Sequence, residues 1–509
     1  MIISSLAIKS PLATPKYLKK MIRFDKNFMG FLVKSVRPIN LVIDRRISSF
    51  QSSKSNHRYF STLSNVNCLL LNSKFATATL SSKFSSLAQH YEGVFPKEKF
   101  QPFKGNGAYL HSKNNERILC CNSAYGAALT GYGKNYVTDA LKKQLDILST
   151  SSRAFHYPLL EKYADKLSSL YQFIPHGNSN DKIQVVFKEG GAAAVDAAIK
   201  IAKLYGHHNK GIQDGRQKIL YAGGHDLFHG RSEAVMPPAE KNDSDPMTEG
   251  FGQVHHPFKK LIELNNIGQL EDAFKDPNLA GVIIEPVLGE GGVKVPEKIY
   301  LEKIRELCDK YNVLLIYDEV QTALRTGKLS ATEHSYFDNA RGDIYVAAKA
   351  VTAGVYPSSY SVGRESIMRL LRPGSEGSTF GASQLACVAG LATFKMIENE
   401  GVLDKIKELG NNVESTLKEI KSLFPEYVED VKGIGCMLGL EFKDQSIAKH
   451  VKLNLMNYKT DDISGIHVKI AGDNKTLRIS PNTAWGKKEI NLLKNGLSLS
   501  LEKLLVDKK

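Results

Sequence analysis

The sequence predicts an α/β protein built around a mostly parallel β-sheet, and three short apolar runs support this prediction. Two of the runs end directly in acids, Glu285 and Asp318, and a third, residues 344–346, leads to Lys349. Uninterrupted apolar runs of this length are typical of parallel strands that are buried on both faces. Side chains at the carboxyl ends of such strands line the ligand site of open α/β sheets, so Asp318 and Lys349 are predicted to meet there.

The other elements follow from the same apolar periodicities. Strands are predicted at residues 107–110, 117–121, 183–187, 218–222, 280–284, 313–317 and 433–441, the first two as a hairpin. Helices are predicted at residues 136–148, 192–204, 300–311, 385–398, 402–423 and 487–505. The Gly-x-Gly at residues 433–435 is not a dinucleotide-binding fingerprint, because no helix start follows it.

A glycine turn, residues 189–191, joins the strand at 183–187 to the Ala-rich helix that follows. A strand, a glycine turn and a helix start form a cradle for phosphate, because bare backbone N–H groups and the helix dipole point at an anion. A glycine turn before a helix is common, so this pattern alone indicates a phosphate site only weakly.

Small residues surround Lys349 in a loop that is bounded by Gly354. Desolvation there would lower the pKa of the lysine and make its amine nucleophilic, although a lysine at a strand end can also simply reach the solvent. A carboxylate at the end of one strand and an amine at the end of another are what pyridoxal phosphate requires. The lysine would hold the cofactor's aldehyde, and Asp318 would keep the pyridine nitrogen protonated.

The segments around these two residues resemble the class III pyridoxal-phosphate aminotransferases. Residues 318–322, Asp-Glu-Val-Gln-Thr, and Lys349 match the two signature segments of that family, and the resemblance extends from about Tyr91 to the C-terminus. It implies the fold type I of aspartate aminotransferase, with a large, mostly parallel sheet domain and a small α/β domain. The expected large domain is 181–384, and the small domain would combine residues 91–180, with its leading helices, and residues 385–509.

The resemblance also implies which residues serve the cofactor. Catalysis is assigned to Lys349 and Asp318, and binding of the cofactor to these two and to Gly191, Ala192, Phe228, Glu285, Gln321, Ser378 and Thr379. Phe228 would stack on the ring. Ser378 and Thr379 would reach across the interface of a homodimer to the partner's phosphate.

Substrate binding is assigned by the same resemblance to Tyr125, Arg231, Glu290, Arg478 and Tyr91. Arg231 would clamp the α-carboxylate by a bidentate pair, and Arg478, in the expected closing strand 476–481, would pair with Glu290. The implied reaction moves the distal amino group of L-ornithine to 2-oxoglutarate, giving glutamate 5-semialdehyde and glutamate. Small amino and oxo acids are the expected substrates.

Four departures from the family pattern keep other functions open. Glu189 stands where a neutral polar residue is usual, Ala193 where an acid is usual and Ala348 where a glycine is usual, and residues 131–135 replace a His-x-His-Pro run. These departures motivate one alternative, a catalytically degenerate relative that acts as a structural subunit of a mitochondrial assembly. The other alternative is another ω-amino-acid transaminase, for acetylornithine or 4-aminobutyrate, because Tyr125 and the Glu290/Arg478 pair favour ornithine without deciding for it.

Charge is concentrated at the N-terminus. The net charge of the chain is +15, but before Glu92 fourteen Lys and Arg face only two acids, so this segment carries +12 and the rest +3. The near-neutral body gives little support to nucleic-acid binding. The basic, acid-poor start predicts a mitochondrial transit peptide over residues 1–60, followed by a linker at 61–90, and hence a location in the matrix. The alternative interpretation of this start is a disordered basic arm.

Three further sequence features limit the class of protein. No apolar run approaches the roughly 18 residues of a membrane helix, so no membrane span is expected. The six cysteines show no CxxC or disulfide-like spacing, which fits reduced thiols in an intracellular enzyme. The histidines show no metal-binding spacing, and no metal site is expected.

Overall fold

The computed structural model describes residues 100–506, except 134, 153, 176–180 and 224–261. The predicted transit peptide and linker, Tyr91, Phe228 and Arg231 lie outside the described residues.

The strands are β1 (Lys104–Asn106), β2 (Tyr109–His111), β3 (Arg117–Cys120), β4 (Ile183–Lys188), β5 (Lys218–Tyr221), β6 (Leu279–Ile284), β7 (Leu314–Asp318), β8 (Ile344–Ala347), β9 (Ser359–Arg364), β10 (Val428–Ile434), β11 (Met437–Phe442), β12 (Ile466–His467), β13 (Lys469–Ile470) and β14 (Thr476–Ile479). The helices are α1 (Tyr136–Leu145), α2 (Pro158–Leu170), α3 (Gly191–Lys210), α4 (Ile267–Phe274), α5 (Lys298–Tyr311), α6 (Glu365–Met368), α7 (Gln384–Glu400), α8 (Val402–Leu423), α9 (Gln445–Met456) and α10 (Lys487–Val506).

The main sheet has the described strand order β4-β9-β8-β7-β6-β5. Strands β5 to β8 are mutually parallel, and β9 runs antiparallel to both of its neighbours. Every residue of β6, β7 and β8 is buried, as the uninterrupted apolar runs predicted. The predicted α/β class and its mostly parallel sheet are confirmed.

Helix α3 packs closely on this sheet because its buried face consists largely of alanines. A Cβ added to Gly281 of β6 would lie 2.9 Å from Cβ of Ala202, so the strand has no room for a larger residue there. Ser359 and Ser361 of β9 donate hydrogen bonds to the carbonyls of Gly190 and Ala194, at 2.8 and 2.7 Å. These contacts fix the start of α3 relative to the sheet.

Two four-stranded sheets accompany the main sheet. One has the order β1-β2-β3-β12 and so joins N-terminal strands to a C-terminal one, and the other has the order β10-β11-β14-β13. The predicted hairpin is the antiparallel pair β2–β3. The proposed domain boundaries at residues 181 and 385 remain predictions.

One predicted strand was wrong. Residues 433–441 do not form a single strand: the chain reverses after Ile434, and β10 and β11 form an antiparallel hairpin. Gly433 and Gly435 adopt positive φ angles of 111° and 59°, and a Cβ on Gly435 would lie 2.7 Å from the backbone of Thr326. The glycines therefore mark a tight turn that packs on another segment, rather than the interior of a strand.

One helix runs beyond its predicted end, and another begins where it was predicted to begin. Helix α3 continues to Lys210 because the first left-handed glycine, Gly211 with φ 69°, follows only there. Helix α1 starts at Tyr136 in spite of the unusual residues before it, because Asn135 and Thr138 form a reciprocal capping box. No helix among the described residues is long and apolar enough to cross a membrane.

Candidate active site

Three neighbouring parallel strands bring three charged side chains to one edge of the main sheet. Asp318 is the last residue of β7 and pairs with Val346 of β8, so Lys349 follows three residues later at the same edge. Ile284, the last residue of β6, pairs with Tyr317 of β7, which places Glu285 level with Asp318. The predicted meeting of Asp318 and Lys349 is thus built into the register of the sheet.

The loop that carries Lys349 has an unusual backbone. Lys349 has a left-handed φ of 50° and begins a short 3₁₀ helix, Lys349–Thr352, which ends at the left-handed Ala353. Gly354, with φ 73°, approaches the backbone of Ala127 so closely that a Cβ would lie 2.8 Å from it. Ala348, by contrast, has extended backbone that any residue adopts, so its difference from the usual glycine creates no strain.

A cavity of about 430 Å³ lies between this loop and the start of α3. The predicted residues Gly191, Ala192, Glu285, Asp318, Gln321 and Lys349 all line it. Gly191 must be a glycine, because a Cβ there would lie 2.9 Å from Cγ1 of Val320. The N-cap, Gly190, offers no side-chain cap, so the first backbone N–H groups of this 20-residue helix are left to an anion.

Glu189, the acid that departs from the family pattern, lies at the rim of the cavity. Its side chain is exposed, and its carboxylate accepts a hydrogen bond from the hydroxyl of Ser378 in the same chain. Thr379 is exposed, and neither Ser378 nor Thr379 lines the cavity of its own chain. Their predicted contact with a partner's phosphate remains a prediction.

The predicted Glu290–Arg478 pair is present. Arg478 is buried, and its Nη1 donates to Oε1 of Glu290 while its Nη2 donates to Oε1 of Gln321 at 2.6 Å. Gln321 therefore links the cavity, which it lines, to the arginine. Charge-assisted bonds of this kind are the stronger class of hydrogen bond, so they hold the guanidinium in one place.

Sequence reasoning missed Lys469, which also binds Glu290. Its Nζ lies 2.6 Å from Oε2 of Glu290 and 4.6 Å from the ring centroid of Tyr125. The ammonium group is thus held between a carboxylate and the face of an aromatic ring, which attracts cations. The only sequence signal was a lysine between Val468 and Ile470 in a short apolar stretch.

Tyr125 sits in a strained turn. Ser123, Ala124 and Tyr125 have consecutive positive φ angles of 44°, 52° and 57°, and the turn closes by a 3.0 Å hydrogen bond from the Gly126 amide to the Asn122 carbonyl. Non-glycine residues in this region each cost about 1–3 kcal/mol and concentrate at functional sites. The turn directs the tyrosine, which is about one-third exposed, to Lys469.

The charges of the site shift two pKa values strongly. Burial, followed by the positive charge of Arg478, lowers the pKa of Lys349 to about 8, although Asp318, Glu290 and Glu285 oppose the shift. Burial alone would raise the pKa of Glu290, but Arg478 and Lys469 outweigh it and lower that pKa to about 2. At neutral pH Glu290 is therefore an anion, and Lys349 loses its proton easily.

Comparisons with known proteins agree with this geometry. The family model described as "Aminotransferase class-III" matches residues 95–501. The mitochondrial ornithine aminotransferase of Arabidopsis thaliana is 32% identical over 348 residues, which cover 68% of this chain and 70% of the relative. The chain therefore belongs to the class III aminotransferases, which depend on pyridoxal phosphate.

Solved structures confirm the fold. An ornithine aminotransferase from Plasmodium yoelii has a TM-score of 0.62 and 26% identity, and the match covers 79% of this chain and 93% of that one. An acetylornithine aminotransferase from Elizabethkingia anophelis has a TM-score of 0.64 and 26% identity, with 82% and 97% covered. The predicted family, fold type I and cofactor dependence are confirmed.

The residues around the cavity fit pyridoxal phosphate. The uncapped N-terminus of α3 suits a phosphate, Asp318 suits a protonated pyridine nitrogen, and Lys349 supplies an amine with a lowered pKa. Glu189 is the residue that fits least, because a carboxylate at the rim would repel a phosphate dianion. Its hydrogen bond to Ser378 holds it at the exposed rim.

We expect the amine of Lys349 in the cofactor-free protein to titrate near pH 8. Above that pH the amine is neutral and nucleophilic, so its rate of reductive methylation by formaldehyde should rise through a midpoint near 8. Replacing Arg478 by Met removes a nearby positive charge and should raise the midpoint. Peptide mass spectrometry across a pH series measures this.

The control for this experiment is Arg369→Met, which removes an exposed arginine that is paired with Glu365. It should leave the midpoint of Lys349 unchanged. A wild-type midpoint at the ordinary lysine value of about 10.5 would contradict the burial and charge environment described here.

Proposed function

We propose that this class III aminotransferase transfers the distal amino group of L-ornithine to 2-oxoglutarate. The observation that carries the proposal is the buried Arg478 paired with Glu290 beside the cavity. The resemblance of the motifs to ornithine-converting members and the 32% identity to the Arabidopsis thaliana relative support it.

The chemistry divides between the cofactor and two side chains. When bound, pyridoxal phosphate supplies an electron sink for the negative charge that develops on the substrate carbon. Asp318 would stabilise the proton on the pyridine nitrogen. Lys349 would bind the aldehyde and, once displaced by substrate, carry the proton between the substrate and cofactor carbons, a role that suits a pKa of about 8.

The Glu290–Arg478 pair would allow one site to bind two unlike substrates in turn. Ornithine offers an amine at the end opposite its carboxylate, whereas glutamate and 2-oxoglutarate offer two carboxylates. A free arginine near the reacting carbon would bind the α-carboxylate of an amino acid and favour reaction at the wrong nitrogen of ornithine. Glu290 neutralises Arg478 while ornithine is bound, and a dicarboxylate can displace it by a bidentate clamp of its own.

The donor experiment tests this proposal directly. The purified protein with cofactor should absorb in the visible range. L-ornithine should bleach this absorbance about tenfold faster than N-acetylornithine or 4-aminobutyrate, because neither of these has the free α-amino group of ornithine. Stopped-flow spectra with each donor measure the rates, and Lys349→Ala, which lacks the amine, is the blank. Faster bleaching by N-acetylornithine would instead favour the function named for the Elizabethkingia anophelis neighbour.

Replacing Glu290 by Ala should leave Arg478 permanently available to carboxylates. We expect 2-oxoglutarate to bind about tenfold more tightly, equivalent to about 1.4 kcal/mol, and selectivity for the distal amine of ornithine to fall. Single-turnover spectra with ornithine and with glutamate separate the two half-reactions. Arg478→Ala should impair mainly the dicarboxylate half-reaction.

Glu441→Ala is the matched control, since it removes the partner of Lys432 in the sheet that also holds Arg478. It should change neither half-reaction by more than about twofold. Equal impairment of both half-reactions by Glu290→Ala and Arg478→Ala would mean that the pair is only structural.

We also propose a homodimer whose active sites need both chains. Large apolar side chains at Ile147, Phe155 and Phe380 are 76%, 68% and 51% exposed. Their two segments adjoin, because the Leu385 amide donates to the Ser149 carbonyl at 3.3 Å. Exposed apolar side chains grouped in this way mark interaction surfaces, and Ser378 and Thr379 lie beside them in the chain.

A charge at Ile147 should therefore dissociate the dimer. In sedimentation velocity, Ile147→Glu should move toward the mass of one chain and lose activity, whereas Ile299→Glu, at a residue that is 60% exposed on α5, should stay dimeric. Full activity of a wild-type monomer would contradict shared sites.

The proposed location is the mitochondrial matrix. The basic, acid-poor residues 1–60 support it, as does the name of the Arabidopsis thaliana relative, which includes the word mitochondrial. A fusion of residues 1–60 to a fluorescent protein that stays outside mitochondria would contradict it.

A further inference from the structure

The carboxylate of Glu290 is held from two sides by two cations. Arg478 binds Oε1, and the ammonium of Lys469 lies 2.6 Å from Oε2. Arg478 alone would be enough to keep Glu290 in place as a mask. The second cation therefore needs a reason of its own, because taking a lysine from water into a site where it is only 9% exposed is costly.

The backbone places the two cations side by side. Lys469 of β13 is directly opposite Arg478 of β14 in the antiparallel ladder, so their side chains leave the same face of the sheet. Like charges in directly opposite positions repel each other, and Glu290 lies between them. The ring of Tyr125 fixes the ammonium of Lys469 from its other side, at 4.6 Å.

We propose that Lys469 is a positioning residue that keeps Glu290 paired after a dicarboxylate substrate has displaced it from Arg478. This inference rests on the proposed function. With ornithine in the cavity, one carboxylate, that of Glu290, is shared by two cations. When glutamate or 2-oxoglutarate brings a second carboxylate, each cation gains an anion of its own: the substrate binds Arg478, and Glu290 stays with Lys469.

Lys469 thus favours the dicarboxylate half of the reaction. When a substrate carboxylate displaces Glu290 from Arg478, Lys469 remains its partner, so Glu290 is not left buried and unpaired. Lys469 contributes nothing comparable to the ornithine half, in which Arg478 already neutralises Glu290.

The test is the binding of glutarate, a dicarboxylate that cannot react, to the holoenzyme by titration calorimetry. Lys469→Gln should weaken glutarate binding about tenfold, while its single-turnover rate with ornithine stays within about threefold of wild type. Lys469→Arg keeps the charge and should recover most of the glutarate affinity. Lys432→Gln, which breaks the ion pair with Glu441 in the same sheet, should have no effect on either reading.

A double variant separates this role from direct contact with substrate. In a Glu290→Gln background no carboxylate needs to be retained, so adding Lys469→Gln should no longer weaken glutarate binding. The same tenfold loss in that background would mean that Lys469 touches the substrate, and would overturn the proposal.

Other outcomes are equally decisive. Equal losses in the ornithine and dicarboxylate readings, or no recovery by Lys469→Arg, would make Lys469 merely structural and overturn its role. A wild-type holoenzyme that neither reacts with ornithine nor binds glutarate would overturn the proposed function itself. If only the predictions for Lys469 fail, the wild-type holoenzyme still reacts with ornithine and binds glutarate, so the two failures are distinguishable.

Discussion

The register of three parallel strands is the constraint on which the site depends. Because β6, β7 and β8 end nearly level with one another, Glu285 and Asp318 lie at one edge of three buried strands, and the loop that follows β8 places Lys349 at the same edge. Burial lowers the pKa of Lys349, so its amine is deprotonated more easily. Burial also makes the stability of each charged side chain depend on the charges beside it. A shift of one residue in the pairing register of β7 would point the side chain of Asp318 into the core and that of Glu319 into the cavity.

The cost of burying these charges is met by grouping them. In the part of the site that the structure describes, Lys349, Arg478 and Lys469 face three carboxylates, those of Glu285, Asp318 and Glu290. Such a group resists the loss of any member, since the remaining partner would be a buried, uncompensated charge. On the proposed function it would accept a second carboxylate at Arg478, however, because the displaced Glu290 keeps Lys469 as its partner.

The sequence predicts a structural feature well when the residues that determine it lie close together in the chain. Apolar runs that end in Glu285 and Asp318 show the strand and its functional end together, and these two residues do meet Lys349 at the cavity. Ser378 and Thr379 do not line the cavity of their own chain. Lys469 gives no such signal, because its strand has only two residues and its role comes from Glu290 and Tyr125, which are distant in sequence. The hairpin at residues 428–442 was misread for a related reason: a glycine in an apolar run fits a strand or a turn, and only the tertiary contact with Thr326 decides.

The strained backbone around the cavity shows where local preference gives way to function. Left-handed φ angles at Ser123, Ala124 and Tyr125, and again at Lys349, are unfavourable for each residue alone. The two segments support each other, because Gly354 of the lysine loop packs against the backbone at Ala127, just after the tyrosine turn. A larger residue at position 354 would therefore disturb both the nucleophile and the tyrosine that holds Lys469. Gly354 allows the lysine loop and the tyrosine turn to pack against each other. The arrangement of the site therefore depends on the absence of a side chain at this position as well as on its charged residues.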